Sequence, residues 1–141
     1  MKKCRLSERA RSARSRALEL MALRGLVPGW SFAFHRAVRR SGACWFQEKK
    51  ISLSLRHVEH HDALAVEDTI LHEIAHAICG PSSAHHDAVW RETALRLGAD
   101  PGRREVTPPG RWQANCPACG HLYSRHRDPA KSPVVARGQS F

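Results

Sequence analysis

The sequence predicts an α+β domain: an N-terminal helix, a small antiparallel ribbon or sheet, a helix carrying two histidines and a following helix, with a short cysteine-bearing element behind them. Three observations predict it. Apolar residues recur at helical spacing in three stretches, short aromatic or alternating runs lie between the first and second, and glycine, with or without proline, ends each helical stretch. At 141 residues, 42% of them hydrophobic, the chain can fill one modest core but not two full domains. The expected divisions are a main domain over 1–100, a linker rich in Pro, Gly and Arg over 101–112, and a C-terminal element over 113–141.

The first helix runs from Ser7 to about Arg24. Leu6, Ala10, Ala13, Ala17, Leu20 and Met21 mark its apolar side, and Arg9, Arg11, Arg14 and Arg16 fill much of the remainder. Gly25 suits a left-handed position past its end, and Pro28 and Gly29 prevent its continuation. Trp30–His35, Gly42–Phe46 and Lys50–Leu55 read as strands; "ISLSL" alternates most cleanly and puts Ile51, Leu53 and Leu55 on one face. From about Val66 to Cys79 the pattern is helical again, with Val66, Ile70, Ile74 and Ala77 as the inward stripe and Gly80–Pro81 as the stop. "SSAHH" follows as a loop. A last helix, Asp87–Leu97, carries Val89, Trp90, Ala94 and Leu97 and closes at Gly98.

Twenty-three Lys and Arg against 13 Asp and Glu give a formal charge of +10, a field that attracts polyanions and makes nucleic acid the natural partner to expect, held without base readout. Arg36, Arg39 and Arg40 on the strands and Arg103, Arg104, Arg111, Arg125 and Arg127 near the end add to the basic first helix. No run approaches the roughly 18 apolar residues that span a bilayer, and the start lacks an apolar signal core. A cytoplasmic, monomeric protein without a membrane partner is expected. Five cysteines, an odd number that includes one Cys-x-x-Cys pair, suit reduced thiols with a metal option better than a disulfide framework.

His72 and His76 stand four residues apart, which on a helix puts both side chains on one face with Cβ atoms about 5–6 Å apart. That spacing lets two imidazoles share one ion. Glu73 between them points away from the shared direction but can reach a water that the ion holds, the arrangement of His-Glu-x-x-His metallohydrolases with zinc as the metal and the glutamate as general base. A catalytic zinc takes three protein ligands and leaves the fourth position to water. His86, at the start of the next helix, is the first choice for the third; His85 beside it stays open on spacing alone, and Glu92 would serve if the ligand were a glutamate. Cys79 lies close to the same stripe and reads as a small buried thiol. His57, His60 and His61 read as solvated loop positions.

"HEIAHAICGP" and "HHDAVWRETALRLGA", preceded by "WSFAFHRAVRRSGACWFQEKKISLSL" and followed by "CPACG", resemble the SprT-like zinc metallopeptidase family, which includes the Spartan proteases, over roughly residues 10–125. The resemblance implies a zincin-like minimal metallopeptidase core. It also implies that the His of a His-Gly-x-x-Phe/Trp segment is the third metal ligand; "HDAVW" matches that segment, so His86 is preferred to His85, with Asp87 where glycine is common. It further implies DNA-associated proteins as substrates. Cys116 and Cys119 form one knuckle of a zinc ribbon, but no second pair follows, so a second, structural zinc would need His121 and His126 in a nonstandard set. The competing expectation is a nucleic-acid-binding accessory protein whose metal site is structural or idle.

Overall fold

The structure, a computed structural model, describes residues 5–83, 85–103, 110–120 and 122–125. The chain divides into two compact units, Met1–Val106 and Thr107–Phe141. The first begins with α1, Glu8–Leu23, whose N-cap Ser7 accepts a hydrogen bond from the Ala10 N–H at 3.1 Å. Ala10, Ala13, Ala17, Leu20 and Met21 are its buried residues, so the helical periodicity locates the core face correctly. Gly25 follows with φ +73°, the left-handed geometry expected of it.

Three strands follow: β1 (Ser31–His35), β2 (Gly42–Trp45) and β3 (Lys50–Ser54). Their order is β1-β3-β2, which makes the small sheet mixed where a wholly antiparallel ribbon was expected. β2 runs antiparallel to β3, from Gly42↔Leu53 to Trp45↔Lys50, whereas β1 runs parallel to β3, from Ser31↔Lys50 to His35↔Ser54. The physical reason lies in the connection over 36–41. It is long enough to cross the two strand spacings, about 10 Å, that separate β1 from the far edge, and β3 then returns into the middle. Alternation in a sequence reports faces and carries no record of neighbours.

β3 is buried on both faces. Ile51 and Leu53 enter the core, while Ser52 and Ser54 on the opposite side are also covered. Their hydroxyls are matched: Ser52 Oγ accepts from Trp45 Nε1 at 3.0 Å and meets His35 Nδ1 at 2.9 Å, and Ser54 Oγ donates to the Ala37 carbonyl at 2.6 Å. The arch over 36–41 is thereby fastened to the central strand.

A short helix, α2 (Leu55–His60), occupies what read as a loop. His57 within it is buried, not solvated, because α2 folds against β3 and the next helix. That helix, α3, spans Ala63–Cys79 and starts three residues earlier than expected because Asp62 caps it, accepting from the Ala65 N–H at 2.8 Å. Val66, Ile70 and Ile74 form its inward stripe; Leu71 and Ala75 widen it. Each fully buried isoleucine contributes about 1.5–3 kcal/mol. After Gly80 and a 3₁₀ turn at Pro81–Ser83 comes α4, Ala88–Leu97, which ends at Gly98 with φ +91°. α1, the sheet, α3 and α4 share one apolar cluster.

The second unit holds a hairpin of β4 (Trp112–Asn115) and β5 (Leu122–Arg125), paired antiparallel from Trp112↔Arg125 to Asn115↔Leu122. Among the described residues no helix is long and apolar enough to cross a membrane. Arg104, His121, His126 and Arg127 lie outside the described residues.

Candidate metal centre

α3 supplies two imidazoles on one face, and the chain reversal after it supplies a third. His86 Nε2 lies 2.9 Å from His76 Nε2 and 2.9 Å from His72 Nε2, and the three candidate ligand atoms all fall within 4.8 Å of one another. His86 reaches this position with φ +56°, a left-handed backbone at a residue that is not glycine. His85 is exposed in the preceding turn and takes no part in the cluster. Glu92 is exposed and paired with Arg96, and Cys79 Sγ turns instead to Thr93 Oγ1 at 3.3 Å.

Asp87, where glycine is common, has a local use. Its φ is −69°, so glycine's freedom is not needed there, and its side chain caps α4 by accepting from the Trp90 N–H at 3.0 Å. The cap sets the first turn of α4 and with it Trp90, which is 1% exposed. The Trp90 ring is the floor of the cluster: its centroid lies 4.6, 5.2 and 4.3 Å from the rings of His72, His76 and His86. Its Nε1 donates to the His72 carbonyl at 3.4 Å.

Burial, reinforced by the neighbouring imidazoles, pushes both His72 and His76 down to about 4. At neutral pH both are uncharged and can offer a lone pair to a cation. A tetrahedral ion with Zn–N bonds of about 2.0–2.1 Å holds nitrogen ligands about 3.3 Å apart. Three convergent imidazole nitrogens on this scale fit zinc in both donor type and spacing.

Glu73 is buried beside them, 6% exposed, and lines a cleft of about 710 Å³ together with the three histidines. One wall of that cleft is the edge strand β2, with Gly42, Ala43 and Cys44; another includes His57 and Thr69. Thr69 Oγ1 donates to the Ala65 carbonyl at 3.1 Å and meets His57 Nε2 at 3.0 Å. The hydroxyl thus sits between the Ala65 carbonyl and the His57 ring nitrogen and is held from both sides. Burial, with the Glu73 carboxylate nearby, pushes the Cys44 thiol up to about 12, so it stays protonated. Sequence reasoning missed Gly42 and Thr69, took His57 for a solvated loop position, and read Trp90 as a core residue and the last residue of the His86 segment. Thr69, one helical turn before Glu73, was the available signal.

Arg40 and Arg103 also line the cleft, and Arg11, Arg14, Arg36 and Arg39 are exposed elsewhere. In the C-terminal hairpin Gly120 N donates to the Cys116 carbonyl at 2.8 Å. The backbone N–H groups of Cys119 and Ala118, and the Cys119 thiol, hold the Cys116 thiol below its ordinary value. Among the described residues no further group joins this pair as a cluster of three.

Two imidazoles on one helix with a buried glutamate between them, and a third imidazole from the segment that follows, mark a small α+β protein with a His-Glu-x-x-His sequence on its central helix. Residues 12–109 match the SprT-like family model, and the chain belongs to that family. Its fold is similar to that in the crystal structure of the metallopeptidase zymogen of Methanocaldococcus jannaschii jannalysin. The TM-score is 0.51 at 20% identity, over 60% of this chain and 78% of that one. No curated protein is significantly similar to the chain.

Proposed function

We propose that the protein is a zinc-dependent metallopeptidase in which His72, His76 and His86 hold the ion and Glu73 is the general base. The observation that carries this reading is the meeting of three Nε2 atoms in a cleft that Glu73 also lines. Zinc, when bound, supplies Lewis acidity, which lowers the pKa of a water towards 7 and offsets charge on a carbonyl oxygen. Glu73 takes a proton from the attacking water and returns it to the leaving amine, so the peptide bond is exchanged for a carboxylate and an amine with no net proton change at the residue. Membership of the SprT-like family and the metallopeptidase neighbour support this chemistry.

The substrates we propose are proteins associated with DNA. A formal charge of +10 supports recruitment by nucleic acid, and Arg40 and Arg103 bring part of it to the cleft itself. In the test, the purified chain is incubated with zinc and a histone-like protein, with and without DNA. The wild type cleaves, DNA stimulates cleavage, and Glu73→Gln keeps its zinc while losing turnover. A wild type that cuts nothing under any condition, yet binds DNA with a steep salt dependence, favours the accessory-protein reading that the same charge supports.

A further inference from the structure

We propose that Gly42, on the edge strand β2, is a positioning residue whose missing side chain sets where the Glu73 carboxylate stands. The inference rests on the peptidase reading for its kinetic consequence and on geometry alone for its structural one. A Cβ at position 42 would lie 3.0 Å from Glu73 Cγ, 3.0 Å from Glu73 Oε1 and 3.0 Å from Thr69 Cγ2. Ordinary carbon contacts begin several tenths of an ångström farther out. Three simultaneous contacts of this kind mean that the bare Cα is packed against the glutamate like a wall.

Something would have to yield to a methyl group there, and the surroundings decide what. β2 is pinned on its inner side by the Gly42↔Leu53 pairing and by the Ser54 N–H donating to the Ser41 carbonyl at 2.8 Å. Thr69 is β-branched, and its hydroxyl is engaged with both Ala65 and His57, which fixes the direction of Cγ2. Glu73 alone combines three rotatable bonds with an open cleft beside it. The carboxylate is therefore the group that moves.

The backbone does not itself require glycine at this place. Gly42 is absent from the left-handed region that the other turn glycines occupy, and its conformation is that of an extended strand, which alanine adopts without strain. Gly42→Ala thus separates a positioning role from a folding role. Its expected effect is a loss of kcat of about 10- to 100-fold with KM within about twofold, since a displacement of about 1 Å at a reacting group has effects of that size. Zinc content and melting temperature stay at wild-type levels.

The experiment measures kcat, KM, zinc content and melting temperature for wild type, Gly42→Ala and Gly42→Ala/Thr69→Ser, alongside crystal structures of the first two. Thr69→Ser removes Cγ2 and keeps the hydroxyl, so the double variant regains part of the lost kcat. Wild-type kcat in Gly42→Ala overturns the proposal, as does loss of zinc or of folding in step with activity. If the wild type proves to have no peptidase activity, the peptidase reading fails and the crystal structures still judge the positioning. A Glu73 carboxylate displaced by about 1 Å supports it, and an unmoved one overturns it.

Discussion

The chain offers two places where side chains of metal-ligating type gather, and they are built differently. At the histidine cluster, α3 holds two imidazoles in register, a left-handed turn delivers the third from ten residues beyond His76, and a buried tryptophan lies under all three rings. At the cysteine pair, both sulfurs come from one tight turn at the tip of a hairpin, and the ordering forces are backbone N–H groups of that same turn. Local turn chemistry can aim two ligands. A third needs tertiary structure to bring a separate segment to the same point, and among the described residues only the first place has it.

The largest expected effect breaks the comparison most directly. One zinc per chain is expected by elemental analysis, lost with all measurable turnover in His76→Ala and retained in Cys116→Ser/Cys119→Ser. Two zincs per wild-type chain would show the hairpin completing a site of its own.

Next in size is the support beneath each place. Trp90→Ala removes a ring that is 1% exposed and should destabilise the protein by about 3–5 kcal/mol, measured by denaturant unfolding after removal of metal. Trp112→Ala, in the hairpin, removes a ring that is 39% exposed and should cost less than about 1 kcal/mol. Equal costs at the two sites would contradict the view that only the histidine cluster rests on a packed floor.

Backbone geometry gives a smaller contrast. His86→Gly relieves a left-handed backbone and loses ring contacts, so the metal-free protein should keep its stability within about 1 kcal/mol while zinc affinity collapses. Gly120→Ala meets no atom within 4 Å but forces a side chain onto φ +72°, which should cost the hairpin about 1 kcal/mol. A His86→Gly chain that retained zinc would remove His86 from the ligand set.

Much of this architecture was legible in the sequence, for identifiable reasons. Residues such as Ala10, Ala17, Ile70 and Ile74 recur with the helical period because one face of each helix is buried, and Gly25 and Gly98 mark ends because those ends need positive φ. His72, Glu73 and His76 could be read because helical spacing alone fixes their relation. What escaped depends on which segments meet. The parallel pairing of β1 with β3, the burial of His57 and the closeness of Gly42 to Glu73 are properties of pairs distant in the chain, and no periodicity records them. Asp87 shows the intermediate case: a departure from the family pattern became intelligible once its cap on α4 could be seen.

The smallest expected effect concerns the clamp that ties α1 to the histidine-bearing helix α3, a long-range contact with no counterpart in the described part of the hairpin. Arg16 Nε and Nη2 donate to the two Glu67 oxygens at 3.0 and 2.8 Å, a bidentate pair left partly open to solvent. Solvent screening keeps such a pair weak, so Glu67→Gln should lower the melting temperature only slightly at neutral pH. The Arg16 guanidinium holds the Glu67 carboxyl below its ordinary value. A carboxylate whose pKa is depressed on folding contributes stability that is present above its unfolded pKa and lost as the pH falls through the folded one. The gap between wild type and Glu67→Gln should therefore be full at neutral pH and close in the acid range below about pH 4. Thermal melts of both chains across that range decide the matter: a gap that persists in acid would assign the difference to side-chain packing and not to charge.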